Sequence, residues 1–183
     1  MWEPITERFY QAVPATATYP GGAIAVIDPR AMAVEQVFGV EACNPHGLAL
    51  GPEFHLLLGC SGSDIPNGTP LQSLILEAIH GTVVATIPQV GGSDEVWFNP
   101  GDHRYYLAAN NWTATGLKGG ALLPVLGIVD ADTNTWLENV PTVMGVHSVA
   151  ANPVTNEIFV PLTNVGIGVY IPVVAPAAAA GTP

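Results

Sequence analysis

Positive charge is what this chain most lacks: four Lys and Arg stand against fifteen Asp and Glu, a formal net charge of −11 over 183 residues. A surface of that sign repels phosphate backbones and anionic lipid, and it removes the main source of affinity for nucleic acid, so DNA and RNA are discounted as partners. Long hydrophobic runs are missing too. Gly, Pro or a polar residue interrupts every apolar stretch well before the roughly eighteen residues that would span a bilayer, so no membrane segment is expected. The first residues, Met1-Trp2-Glu3-Pro4-Ile5-Thr6-Glu7-Arg8, have no basic start leading into an apolar stretch, and no secretory signal is visible. The chain is therefore either cytosolic, or exported with a leader that was removed or lies outside this sequence. No Gly-rich phosphate loop, HExxH or CxxC signature occurs, and no segment of about ten residues shows a helical period.

What is present is apolar content, 49% of residues, enough for a folded core and too much for a disordered acidic chain. It is also periodic on a long scale. Asn44-Pro45-His46-Gly47-Leu48-Ala49-Leu50-Gly51-Pro52 returns, without a gap, as Gly92-Ser93-Asp94-Glu95-Val96-Trp97-Phe98-Asn99-Pro100 and Gly145-Val146-His147-Ser148-Val149-Ala150-Ala151-Asn152-Pro153, so the closing prolines lie 48 and 53 residues apart. Repeats of this length mean a solenoid, a propeller or an array. Each copy is a short apolar run led by a polar residue and closed by an X-Pro turn. A second run rich in β-branched and aromatic residues follows: strand, tight turn, strand.

Two further strand types complete the unit. One is Gly22 to Asp28, Leu74 to Glu77 and Val125 to Asp130, each closed by an acidic residue that can accept backbone N–H bonds in the next turn. The other is Val34 to Phe38, Thr82 to Ile87 and Thr135 to Val140. Labelled a to d, the strands read b-c-d, a-b-c-d, a-b-c-d, a-b-c, with Ile167-Gly168-Val169-Tyr170 as the last c. Four antiparallel strands per unit is the propeller blade, so the predicted fold is all-β, with about 3.5 to 4 blades over residues 1–171. The connection from Asn110 to Pro124 is long enough to be a lid or rim element. Residues 172–183, rich in Ala and Pro, read as a flexible tail.

Pro45-His46-Gly47-Leu48-Ala49, Ala23-Ile24-Ala25-Val26-Ile27-Asp28-Pro29 and Gly81-Thr82-Val83-Val84-Ala85-Thr86-Ile87 resemble the repeats of the YncE-like, YVTN-type β-propeller proteins over residues 8–171. The resemblance implies the fold and leaves function open, since that superfamily and its neighbours hold binding proteins as well as hydrolases, lactonases and lyases. Members usually carry about seven blades, roughly twice the number here. An open arc exposes apolar faces and unpaired edges at its two ends, so a homodimer that closes one ring is the expectation. A closed ring of four small blades and a truncated gene product are the alternatives.

Cys43 precedes the first strand and Cys60 ends the second strand of a hairpin that turns near Gly51-Pro52-Glu53; the turn brings those two ends together, within reach of a disulfide if the Cα atoms approach to about 7 Å. The other reading is two buried thiols. A bridge would favour a periplasmic or secreted origin.

His46, Asp94 and His147 occupy one position in three successive repeats, in the loop that leads into the innermost strand, and are expected to face one another at the channel mouth. Two imidazoles and a carboxylate there form a candidate ligand set for a divalent ion, with Zn²⁺ or a similar transition metal preferred over Ca²⁺ because of the nitrogen donors. Glu95 is the candidate general base alongside Asp94, and Trp112, an aromatic in the long loop, the candidate substrate contact. On this reading the protein is a metal-dependent hydrolase of a lactone, carboxylic ester or phosphotriester. The alternative is a non-catalytic propeller that binds a small ligand or a protein at the channel mouth, with the polar ring serving only structure. His55, His80 and His103 lie at turns and read as solvated, and Trp97, Phe98, Tyr105 and Tyr106 as blade packing.

Overall fold

The computed structural model describes residues 1–172; most of the tail expected over 172–183 lies outside the described residues. The architecture is all-β, four antiparallel sheets in chain order. The first holds β1 (Trp2–Glu3), β2 (Arg8–Val13), β3 (Ala23–Asp28) and β4 (Ala33–Gly39). The second holds β5 (Pro45–Leu50), β6 (His55–Cys60), β7 (Ser73–Glu77) and β8 (Val83–Ile87), and the third β9 (Val96–Asn99), β10 (Arg104–Ala109), β11 (Val125–Asp130) and β12 (Thr135–Pro141). The fourth has three strands, β13 (Ala150–Ala151), β14 (Ile158–Leu162) and β15 (Gly166–Tyr170). Neighbours in sequence are neighbours in each sheet, a meander of short local connections, and the layout is propeller-like.

The first sheet has four strands where the repeat pattern predicts three. Trp2 pairs with Phe9 and Glu3 with Arg8, which gives the first sheet a brief inner strand that two residues could not announce by any period. The acidic stops behave as their position predicts. Asp28 Oδ1 accepts from the Arg30 and Ala31 amides at 2.8 and 3.1 Å, and those bonds hold its carboxyl below the ordinary range. Glu77 caps Ile79 and His80 in the same way, and Asp130 caps Thr133. The third and fourth strands of the three complete sheets share one irregularity, a register shift at Val26/Ile27, Ile75/Leu76 and Ile128/Val129, the local bend that adds twist to an outer strand.

Stability comes from three seams between successive sheets. Tyr10, Ile24 and Val26 pack on Leu56, Leu58, Leu74 and Leu76; Leu57, Ile75 and Ile87 pack on Tyr105, Leu107 and Val129; Tyr106, Leu126 and Ile128 pack on Ile158 and Val160. Strand alternation explains this, since successive side chains of β6 (Leu56, Leu57, Leu58) serve opposite seams. Cys43 and Cys60 are bridged, Cα to Cα 4.4 Å, and buried in the first seam, which settles the sequence-level choice for the disulfide and is consistent with an oxidising compartment. The Asn110–Pro124 connection is a rim element that docks on its neighbour. Gly68 N–H donates to Lys118 O at 2.9 Å, Lys118 N–H to Thr69 O at 2.9 Å and Leu71 N–H to Gly116 O at 2.8 Å, binding it to the β6–β7 loop of the second sheet. No helix among the described residues is long and apolar enough to cross a membrane.

Candidate functional site

The inner strands β5, β9 and β13 are each preceded by one backbone device. Asn44, Gly92 and Gly145, equivalent in the repeat, have φ of 50°, 69° and 82°, the left-handed region that Gly enters freely and Asn tolerates best among the other residues. That turn sets the aim of the residue two places on, which is His46, Asp94 and His147 respectively. In β5 the pairing runs from Pro45 opposite Cys60 straight to Leu48 opposite Leu58, so His46 and Gly47 sit in a bulge, a device that re-aims side chains. Room for the approach comes from missing side chains. A Cβ on Gly47 would lie 2.5 Å from the Asp94 carbonyl oxygen, and one on Gly59 2.8 Å from the same atom.

The outcome is that the three residues meet. His147 Nδ1 lies 2.9 Å from Asp94 Oδ2, and His46 Nδ1 lies 3.4 Å from Asp94 Oδ1. One carboxylate thus bridges two imidazoles from the sheets on either side of it, with side-chain exposures of 39% for His46, 26% for Asp94 and 59% for His147. Asn110, at the end of β10, adds a contact from its amide to His147 Nδ1 at 3.2 Å, and the Glu95 N–H donates to the His147 carbonyl at 3.3 Å.

The residues that follow His46 and Asp94 line a cavity of about 370 Å³: Gly47 to Leu50 and Glu95 to Phe98, joined by Met1 and Val149, which directly precede β1 and β13. Apart from the exposed Glu95 the lining side chains are apolar, and backbone groups and the Met1 ammonium, which donates to the Tyr10 carbonyl at 2.9 Å, add polar surface; Trp97 turns an indole that is 42% exposed toward solvent. The expected packing role therefore holds for Tyr105 and Tyr106, both fully buried, and only in part for Trp97. Trp112 is not brought to the His–Asp–His bridge; it packs, partly buried, against the core between the second and third sheets.

A metal set needs three donors turned to one point. Among the described residues no three His, Cys, Asp or Glu are so arranged. The arrangement as it stands can orient imidazoles and present their outer edges to a ligand. Away from this set, burial pushes the Tyr105 and Tyr106 phenols up, and both sit in seams as packing groups.

Sequence reasoning missed Asn110 and Asn44. Asn44 is fully buried, its Oδ1 accepting from the Ala15 amide at 2.7 Å and its Nδ2 donating to Ser63 Oγ at 2.7 Å and Asp64 Oδ2 at 3.0 Å. A signal for Asn110 did exist, since it follows β10 as Ser61, the partner of Asn44, follows β6. No protein-family profile matches the chain, and no curated protein shows significant similarity to it.

Proposed function

We propose that the protein is a binding module whose ligand site is the channel mouth, and that it works without chemistry of its own. The observation that carries this reading is the arrangement of the polar set: Asp94 is hydrogen-bonded to His147 at 2.9 Å and lies 3.4 Å from His46, and the residues that follow His46 and Asp94 line a cavity whose side chains are mostly apolar. A volume near 370 Å³ is at the small end of ligand clefts. With Glu95 the one charged side chain on a wall whose other side chains are apolar and a net charge of −11, the site suits an apolar body with a cationic or hydrogen-donating head, free or carried on a partner's side chain.

Calorimetric titration with a series of n-alkylammonium ions, n-alkanols and n-alkylcarboxylates tests it. Saturable binding is expected in that order of strength, with the ammonium preference lost in Glu95→Gln and all binding weakened in Trp97→Ala. No saturable binding by any member, or a preference that survives Glu95→Gln, overturns the reading.

The hydrolase reading, with a divalent ion on His46, Asp94 and His147 and Glu95 moving the proton, has the convergence of those residues in its favour. It requires the histidine nitrogens to leave the carboxylate or to offer their other edges. Stoichiometric zinc in the purified protein, with esterase or lactonase activity that disappears in His46→Ala and His147→Ala, would replace the binding proposal.

A further inference from the structure

Each seam joins two kinds of sheet face. One position near the start of the second strand points to the seam with the preceding sheet: Leu56 and Tyr105, second in β6 and β10, and Ile158, first in the shorter β14, are 1%, 0% and 2% exposed, but the equivalent Phe9 of the first sheet is 43% exposed. The next residue points to the seam with the following sheet. Tyr10, Leu57 and Tyr106 are 3%, 0% and 0% exposed, and their cross-strand partners Val26, Ile75 and Ile128 are 5%, 0% and 7%. In the fourth sheet the same pair is Phe159 and Val169, and Val169 is 51% exposed, with Ile167 beside it at 64%. No buried apolar cluster among the described residues joins the fourth sheet to the first. The arc therefore ends in two unmated halves of the seam that it builds three times internally, one of each kind.

We infer that the occupant of each end is a second copy of this chain: the outward face of the fourth sheet packs on the outward face of the first sheet of its partner, twice, about a twofold axis. A copy is the partner argued for because its ends carry both complementary faces, already shown to mate sheet to sheet within the chain, and because two head-to-tail contacts close a ring and leave no apolar face free. The ring axis is then the twofold axis, and two His46–Asp94–His147 bridges share one channel mouth. This assembly stands independently of what the mouth binds.

Sedimentation velocity at micromolar concentration tests it. The wild-type chain is expected at twice 19.0 kDa. Phe9→Glu blocks one end and Val169→Glu the other, and each is expected to sediment as a folded monomer, with folding checked by circular dichroism. Should Phe9→Glu unfold, Val34→Glu on the same face, whose residue is 57% exposed in the wild type, replaces it. Mixed in equal amounts, the two blocked variants retain one good pair of faces and should recover a 1:1 dimer. A monomeric wild type overturns the inference. So does a dimer that survives either substitution, which would mean like faces pairing with like or some other surface, and so does a mixture that stays monomeric.

Discussion

Removing the Cys43–Cys60 bridge by replacing both residues with alanine tests how much the β5–β6 hairpin depends on it. The two cysteines are 17 residues apart, and closing a loop of that length in the unfolded chain is worth about 3 kcal/mol. Alanine is the better probe, because both positions are buried at 0% and 2% exposure and a serine hydroxyl there would add a desolvation cost of its own. The lost sulphur atoms leave small voids that add roughly 1 kcal/mol. For 183 residues an unfolding entropy of about 0.38 kcal/mol/K converts the bridge contribution into a melting shift of about 8 °C. Calorimetric melts of oxidised wild type, reduced wild type and the double variant should show the last two well below the first, the variant a further drop of about 2 to 3 °C down because of the voids. Coincidence of all three within about 2 °C would refute the reasoning, because the unfolded chain would then gain little freedom when the link is cut. The site should respond as well. Cys43 directly precedes Asn44, whose left-handed backbone aims His46, so the variant's His46 ring resonances should broaden while those of His103 do not.

Two other expectations follow from local geometry. A Cβ on Gly51 would lie 2.0 Å from the Tyr105 hydroxyl oxygen, and Tyr105 is fully buried and donates to the His55 carbonyl at 2.9 Å; Gly51→Ala should therefore destabilise the fold by about 1–3 kcal/mol, and an unchanged urea midpoint would contradict the packing described. The Asp132 carboxylate 2.9 Å from His103 Nδ1 raises that imidazole's pKa, so any stabilisation from the pair is complete below the ordinary histidine pKa and fades as pH rises through the raised value; an NMR titration should find the His103 midpoint falling in Asp132→Asn, and an unmoved midpoint would remove the pair.

Most of the fold was legible because it is written repeatedly. Apolar runs with acidic stops at Asp28, Glu77 and Asp130, and X-Pro turns after the inner strands, announce a strand order that the sheets reproduce. The convergence of His46, Asp94 and His147 was legible for the same reason, register alone placing them on one rim. What register could not supply was the state of that set. Which nitrogen faces the carboxylate depends on the bulge at His46 and on the close passage of Gly47 and Gly59, three-dimensional facts with no one-dimensional trace. Strand β1 was missed because two residues, Trp2 and Glu3, carry no period. Trp112 looked free because its loop has no apolar pattern, yet that loop is fixed by backbone bonds to residues 68–71, contacts between segments some fifty residues apart.

That docked loop makes the joints between sheets unequal. The middle joint has interdigitated side chains and, in addition, a main-chain clasp reaching across it from Lys118 and Gly116 to the neighbouring turn. The second and third sheets consequently form a braced central pair, to which the outer two are tied by side-chain packing and fewer main-chain bonds, Asn44 N–H to the Gly21 carbonyl on one side and Glu95 N–H to the His147 carbonyl on the other.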